Sequence, residues 1–431
     1  MKQRRLFTLV IGFLLLTGCA SDQIYRANYA SCSVTVSEDC ASHAVQKIGK
    51  APADYWLGFV EVDDQGQLRD RAQLQAVLDQ LYKVSSDHDV LINVFVHGWH
   101  HNAKPGDSNI EGFKGILQKL SAIESRQSHN WQHKPRQVFG VYVGWRGESI
   151  EFPGIKYLTF WDRKNTAQDV GYLGVTELLL KLEQVVHVKE AQSTAEKSRL
   201  VIIGHSFGGA VVYNALSQIL ANRFIDSHPG KSYSGQVQGF GDLVVLLNPA
   251  FESLQFAPLY DLAQSRCSYL DSRTPRLAIL TSETDYATKY AFWAGQAVAT
   301  FWETHNTLTR EACQGRRKLI LDEGEADRTA VGHFAPLLTH ELTLDNTVLT
   351  LNKDNVIEWQ RPEEGQSRVM GNLRLTHLGR TSQYNPYLNI RVSSDIMDGH
   401  NDIFSEELLS FVQALIVYST QDKRGKLTNK R

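Results

Sequence analysis

The sequence predicts an α/β protein in which a mostly parallel sheet is covered by helices on both faces. Short apolar runs rich in β-branched residues have the length of buried strands, and they occupy 90–96, 138–143 and 200–203. Segments with apolar residues at helical spacing lie before and between these runs, at 71–84, 109–123 and 170–188. Strands that alternate with helices and are apolar along their whole length are typical of a parallel sheet with two covered faces.

The same alternation continues on both sides of this central part. Further strands are predicted at 56–62, 243–247, 276–281 and 388–392, and a last amphipathic helix at 404–416. Residues 303–386 carry more charge and do not follow the alternation, although 342–351 has the pattern of a hairpin. We therefore predict one α/β domain over 53–431, with an insertion at about 303–386 before the last strand and helix.

A stretch without charged residues, 290–302, follows the strand at 276–281. Its thirteen residues are too few to span a bilayer as a helix. The pattern favours a core helix packed against the sheet. The alternative is an aromatic lip over a pocket that binds an apolar group.

The N-terminus has the pattern of a secretory signal over residues 1–18. Lys2, Arg4 and Arg5 precede an apolar stretch of eleven residues that is too short to span a bilayer. Leu16-Thr-Gly-Cys19 resembles the lipobox of bacterial lipoproteins. The alternative is an ordinary cleaved signal followed by an unrelated cysteine.

The lipobox resemblance implies that Cys19 carries acyl chains such as palmitate and anchors the protein to the cell envelope. Ala20, in place of an aspartate after the cysteine, implies the outer membrane. Residues 19–52 are polar, rich in small side chains and without sustained periodicity, so we predict a tether there.

Four cysteines remain when Cys19 is set aside, and four cysteines allow three pairings. In an oxidising compartment an even number favours disulfides. Because each pair lies in one stretch of chain, we favour Cys32–Cys40 and Cys267–Cys313. Free buried thiols are the alternative for the second pair.

Composition and charge restrict the class of partner. The formal net charge is −2 and no run of Lys or Arg is present, which argues against nucleic acid. His340-Glu-Leu-Thr-Leu344 lacks the second histidine of the zinc motif H-E-x-x-H. No glycine-rich phosphate loop follows a strand either. We expect neither a metal nor a cofactor.

The most informative motif is Gly204-His-Ser-Phe-Gly208, which follows a predicted strand and precedes a predicted helix. G-x-S-x-G in this setting places a serine on a very sharp turn. The two glycines are needed because a Cβ would collide with the neighbouring strand or helix. Ser206 is therefore a candidate nucleophile, and Phe207 N–H a candidate donor to an oxyanion.

The chain resembles the α/β-hydrolase superfamily over roughly 56–302 and 386–420. The resemblance rests on His97-Gly-Trp99, on the Ser206 motif, on Asp285 after a late strand and on His400 before the last helix. It implies a catalytic triad in the chain order serine, acid, histidine. Ser206, Asp285 and His400 have that order.

Other residues compete for two of these roles. Glu283 and Glu252 also follow strands and are alternative acids. His305, His333, His340 and His377 also follow Asp285, and His333 is the alternative base. His400 is favoured because it lies in a short polar loop between a strand and the terminal helix.

The resemblance also implies a second oxyanion donor, the N–H of Trp99 after His97-Gly98. We expect His97 and His205 to be packing residues rather than bases. The implied function is a serine hydrolase of the bacterial envelope that cleaves carboxylic esters, including lipid esters. The aromatic residues Trp99, Trp145, Trp161 and Trp293 weakly favour an apolar acyl or aryl group.

Two alternatives stay open at the level of the sequence. The same triad serves amidases and thioesterases, because a fold does not fix the substrate. A lipoprotein without catalytic activity could also use this scaffold to bind an envelope partner.

Overall fold

A computed structural model describes residues 23–34, 39–127, 134–147, 164, 166–192, 198–227, 236–269, 274–313, 315–345 and 357–421. The predicted signal, Cys19 and Trp161 lie outside these residues. Twelve strands form one large sheet with α/β character, and two more form a separate hairpin. The strands are β1 Asn28–Ser33, β2 His43–Ile48, β3 Tyr55–Glu61, β4 Val90–Val96, β5 Gln137–Gly144, β6 Arg199–His205, β7 Leu243–Leu247, β8 Leu277–Ser282, β9 Thr307–Ala312, β10 Arg317–Asp322, β11 His340–Leu344, β12 Ser367–Met370, β13 Leu373–His377 and β14 Tyr387–Val392.

Helices are observed where the sequence predicts them at 71–84, 109–123, 170–188, after Ser206 and at 404–416, and two further helices, Ser253–Gln264 and Glu323–Arg328, were not predicted. The α-helices are α1 Arg71–Asp87, α2 Ser108–Gln127, α3 Leu173–Gln192, α4 Phe207–Asp226, α5 Ser253–Gln264, α6 Phe292–Ala299, α7 Glu323–Arg328 and α8 Glu406–Thr420. A short π-helix, Ala287–Ala291, precedes α6, and a 3-10 turn, Ala335–Leu337, precedes β11.

The large sheet has the order β1-β2-β3-β5-β4-β6-β7-β8-β14-β11-β13-β12. Eight neighbouring strands from β3 to β11 are all parallel. Their carboxyl ends therefore lie along one edge of the sheet, which is where open α/β sheets place functional side chains.

Both faces of the sheet are buried, which explains why its strands are apolar without alternation. In β6, Leu200 and Ile202 belong to one hydrophobic cluster, while Val201 and Ile203 belong to the other. The first cluster contains the apolar faces of α1, α3, α4 and α5. The second contains those of α2 and α8. The predicted mostly parallel sheet with helices on both faces is thus observed.

The predicted tether at 19–52 is wrong for its central part. Residues 28–33 and 43–48 are strands of the large sheet, and β2 pairs antiparallel with β3. The Arg26 side chain is buried and donates through Nε to the carbonyl oxygen of Ala103. Both strands are only six residues long and mix polar with apolar residues, so the local sequence carries little sign of them.

The predicted insertion at 303–386 contributes directly to the large sheet. Strand β11 pairs parallel with β14, and β13 and β12 extend the sheet by antiparallel pairing. Among the described residues of this stretch, β9 and β10 pair outside the large sheet, as a separate hairpin. The predicted hairpin at 342–351 lies partly outside the described residues, which end at 345 here. Its described part belongs to β11, which pairs with β14 and with β13, about thirty residues further along the chain.

The core-helix interpretation of 290–302 is wrong. The π-helix and α6 turn only a narrow stripe toward the protein, which Thr300 continues after α6. The stripe consists of Thr288, Phe292, Gln296 and Thr300 at four-residue spacing. Gln296 donates to Glu252 and to the carbonyl oxygen of Asp327. The apolar residues on the other sides of this segment face outward, which reverses the usual amphipathic arrangement.

Candidate active site

Ser206 lies on the sharp turn between β6 and α4. Its φ of 55° and ψ of −122° are rarely adopted by residues with a side chain. A Cβ at Gly204 would lie 2.8 Å from the carbonyl oxygen of Gly208, and one at Gly208 would collide with the carbonyl oxygens of Val96 and His97. The two glycines thus permit the turn that carries the serine.

The loop after β4 passes directly beside this turn. A Cβ at Gly98 would lie 2.8 Å from the Cβ of Ser206. Trp99 follows Gly98, and Phe207 is fully buried as the first residue of α4. The two predicted oxyanion donors therefore belong to the turn that carries the serine and to the loop that passes beside it.

Ser206, His400 and Asp285 are in direct contact. His400 Nε2 lies 2.7 Å from Ser206 Oγ, and His400 Nδ1 lies 2.8 Å from Asp285 Oδ2. Ser206 and Asp285 are buried, whereas the His400 side chain is one-fifth exposed. Three residues separated by 79 and 115 positions in the chain meet at the carboxyl edge of the sheet. This arrangement can pass a proton from a hydroxyl to an imidazole that a carboxylate orients.

Asp285 is held as a carboxylate although it is fully buried. Burial by itself raises the pKa of this carboxyl, but the charge of His400 and the hydrogen bonds from His400 and Thr288 outweigh it. The pKa of Asp285 is consequently lowered from its usual value. Oδ1 accepts the N–H groups of Ala287 and Thr288, and Oδ2 accepts the Thr288 hydroxyl.

His333 lies one contact beyond this carboxylate. Its Nε2 is 2.8 Å from Thr288 Oγ1. Burial lowers the pKa of His333 to about 4, so the ring is neutral near pH 7. Because the Thr288 hydroxyl donates to Asp285, the hydroxyl oxygen accepts from His333 Nε2–H. His333, the alternative base, thus supports the acid and does not contact Ser206 Oγ in this geometry.

The backbone of the His400 loop is fixed by residues at the ends of β6 and β7. Asn248 Nδ2 donates to the carbonyl oxygens of Gly399 and His400. His205 Nε2 lies 3.0 Å from the same His400 carbonyl oxygen. Burial lowers the pKa of His205 to about 3, so a neutral ring donates this bond.

His97 also has a packing role. Its ring stacks on Trp145, whose backbone N–H donates to His97 Nε2 and whose indole N–H donates to the His97 carbonyl oxygen. Burial lowers the pKa of His97 to about 4. The ring therefore helps to position the backbone that leads to Gly98.

The two alternative acids are engaged elsewhere. Glu252 forms a buried ion pair with Lys164 and accepts from Gln296. Glu283 accepts the backbone N–H of Ser394. None of these three contacts connects Glu252 or Glu283 to His400.

Asn248, Thr288 and the supporting position of His333 were not predicted from the sequence. In the sequence, Asn248 can be recognised as the polar residue that ends a strand. Its φ of 44°, which is uncommon for a residue with a side chain, is known only from the structure. Thr288 gave no signal, because its contact with Asp285 depends on the turn that follows β8.

One group of side chains could hold a metal ion among the described residues. Single ligand atoms of Glu303, His305 and Asp327 lie within 4.8 Å of one another. His305 Nε2 is 3.3 Å from Asp327 Oδ2. Exposed acidic groups of this kind are common without a bound ion.

Two further candidate histidines contact each other. His340 and His377 face each other across β11 and β13, with ring centroids 4.7 Å apart. Burial lowers the pKa of both rings, that of His377 to about 4.

The structure contains two disulfides, Cys32–Cys40 and Cys267–Cys313, which are the two favoured pairings. Among the helices of the described ranges, none combines the length and the apolar character that a membrane span requires.

The sequence matches no protein-family model. A search of curated proteins gives no match either.

Among solved structures, two of phospholipase PlaB from Legionella pneumophila are similar to this chain. The one in complex with thio-NAD has 12% sequence identity and a TM-score of 0.28, and the other has 13% and 0.29. In both cases the match covers 78% of this chain, but only 60% and 62% of the phospholipase. Overlap at this level assigns neither a family nor a function.

Proposed function

We propose that this protein is a serine hydrolase of the α/β-hydrolase type that cleaves carboxylic esters. The observation that carries the proposal is the continuous contact from Ser206 Oγ to His400 and from His400 to Asp285, at 2.7 and 2.8 Å. A buried serine on a strained turn, with an imidazole in hydrogen-bond range, is the arrangement that activates a hydroxyl nucleophile.

In the first half of the reaction, Ser206 Oγ attacks the carbonyl carbon of the ester and His400 Nε2 takes the hydroxyl proton. Asp285 keeps the imidazole in the required tautomer and stabilises its positive charge. The N–H groups of Phe207 and Trp99 stabilise the oxyanion of the tetrahedral intermediate. His400 then gives its proton to the leaving alkoxide, and an acyl group remains on Ser206.

In the second half, His400 takes a proton from water, and the resulting hydroxide attacks the acyl carbonyl. The tetrahedral intermediate collapses, the carboxylic acid leaves, and the proton returns to Ser206 Oγ. We further propose that Cys19 is lipidated and holds the enzyme on the bacterial envelope, at the outer membrane. Lipid and small soluble esters are both candidate substrates, and a lipid ester suits an enzyme held at a membrane.

Hydrolysis of p-nitrophenyl esters with short to long acyl chains tests this function. We expect a burst of p-nitrophenol equal to one molecule per chain, followed by slower turnover as the acyl-enzyme hydrolyses. Ser206→Ala should abolish the burst. The matched control is Ser227→Ala, a buried serine at the opposite end of α4, and it should leave the burst unchanged. Equal activity in wild type and Ser206→Ala would contradict the proposal.

The same series addresses the two alternatives. Faster acylation by matched thioesters or amides than by esters would change the substrate class but keep the triad. A folded wild-type protein that hydrolyses none of the three classes would favour a binding protein.

A further inference from the structure

An exposed aromatic segment, residues 286–302, follows directly after Asp285. In the described part of the chain, fifteen large apolar residues are exposed, and six of them fall within these seventeen positions. Their exposed fractions range from 48% to 89% and belong to Tyr286, Tyr290, Trp293, Val298, Phe301 and Trp302. A cluster of exposed apolar side chains on the surface of a protein marks a site of interaction.

The chemistry of the aromatic segment suits the interface of a lipid bilayer. It combines Trp, Tyr and Phe with one charged residue, Lys289, and no acid. Aromatic rings with a polar end are enriched where lipid headgroups meet acyl chains, and a nearby cation is attracted by anionic headgroups. A short helix with an outward apolar face lies in this interface rather than crossing it.

The segment is attached rigidly to the candidate active site. Its first turn donates two backbone N–H groups, from Ala287 and Thr288, to Asp285. The polar stripe of α6 is fixed by the bonds from Gln296 to Glu252 and Asp327. Trp293 and Val298 are thus turned outward by a helix whose inner side is already bound, and Phe301 and Trp302 follow the end of this helix.

A second feature lies at the same edge of the sheet, the edge formed by the carboxyl ends of the parallel strands. Gln23 and Tyr25 line a small cavity together with Glu61 and Trp145, which lie at the carboxyl ends of β3 and β5. The backbone N–H of Tyr25 donates to the Glu61 carboxylate. Cys19 is four residues before Gln23, and four residues span at most about 14 Å. A lipid on Cys19 would therefore be held close to this edge.

The two features lie on opposite sides of Ser206. From β6 to β3 there are three strand spacings, about 14 Å, and from β6 to β8 there are two, about 10 Å. We infer that the aromatic segment is a second membrane contact, and that together with the lipid on Cys19 it turns the triad toward one bilayer. The inference rests on the proposed function and specifies its substrate class as lipid esters presented by a membrane.

Vesicle flotation tests the contact without using activity. The mature chain from residue 19, carrying Cys19→Ser and therefore without the signal and the lipid anchor, is mixed with vesicles of phosphatidylethanolamine and phosphatidylglycerol. We expect it to float, and we expect the triple variant Val298→Ser, Phe301→Ser, Trp302→Ser to partition at least about tenfold less. These three residues are among the most exposed of the segment, so the variant should fold.

The matched control replaces three exposed residues at the opposite edge of the sheet, Tyr82, Val188 and Ile225, with serine. This variant should float as well as its parent. Both variants should hydrolyse a soluble short-chain ester at the parent rate, while the aromatic variant alone loses hydrolysis of vesicle lipid. Failure of ester hydrolysis in all forms would overturn the proposed function, yet flotation would still report on the contact.

Equal flotation of the aromatic variant and its parent would overturn the inference. It would also be overturned if the parent did not float and was a dimer that the aromatic substitutions dissociate. In that case the segment would be an interface between two copies of the chain.

Discussion

Replacement of Thr288 by valine tests how the buried acid is held in place. Thr288 is buried, its hydroxyl donates to Asp285, and its oxygen accepts from His333. Valine has nearly the same shape but neither donates nor accepts. The substitution therefore removes a donor from a buried carboxylate and leaves the His333 N–H without this acceptor.

The magnitude follows from these two bonds. A hydrogen bond to a charged group contributes about 1.5–3 kcal/mol, and a buried donor left without a partner costs about 1–3 kcal/mol. Because the two effects share one hydroxyl, we expect the free energy of unfolding to fall by about 2–4 kcal/mol. The pKa of Asp285 should rise. For each pKa unit of carboxylate stabilisation that the transition state also loses, kcat/KM for a soluble ester should fall about tenfold.

Urea unfolding and the pH profile of ester hydrolysis measure both effects. Thr288→Ser is the matched control, because it keeps the hydroxyl and loses one methyl group, about 0.8 kcal/mol. The acidic limb of the kcat/KM profile should move to higher pH in the valine variant and stay in place in the serine variant. If the two variants have equal unfolding free energies and equal profiles, the hydroxyl does not support Asp285.

Three further outcomes are expected. Asp285→Asn should lower kcat about 10⁴-fold while the protein stays folded, since the amide favours the wrong imidazole tautomer, and steady-state hydrolysis with circular dichroism checks this. Asn248→Ala removes two donors from the His400 loop and should lower kcat about tenfold with KM unchanged; an unaltered kcat would show that the loop is fixed without it. The free energy of unfolding should fall as the pH drops from about 6.5 to about 4. In this range His205 and His333 bind protons in the unfolded chain but stay neutral in the folded one. The slope should approach about 1.4 kcal/mol per pH unit for each ring, and His333→Gln should make the urea-measured decline shallower.

The sequence predicted the central part of the fold because the signal there is local. Buried parallel strands are apolar on both faces, and the helices between them have a clear 3.6-residue period. Strand β4 is observed with the predicted bounds, and β3, β5 and β6 differ from theirs by a residue or two.

The edges of the sheet were not predictable in the same way. Strands β1, β2, β12 and β13 are four to six residues long, and they lack the continuous apolar runs of the central strands, so their local signal is weak. The core helix predicted at 290–302 is wrong for another reason. A stretch without charge indicates burial, but here the buried stripe is partly polar and the apolar side faces outward.

For the candidate site, the sequence motifs led to Ser206, Asp285 and His400, which the structure brings into contact. The residues that support them left weaker signals. Thr288, His333 and Asn248 act through contacts that are distant in sequence, so no motif contains them. The motifs therefore identify the three candidate catalytic residues, but not the residues that hold them in place.

The central claim is that His400 activates Ser206. Its most direct test is labelling of the full chain with a fluorophosphonate, followed by peptide mapping by mass spectrometry. We predict one adduct per chain, located on Ser206, and a labelling rate that falls at least about 10³-fold in His400→Ala. A folded protein without an adduct, an adduct on a different residue, or an unchanged rate in His400→Ala would contradict the claim.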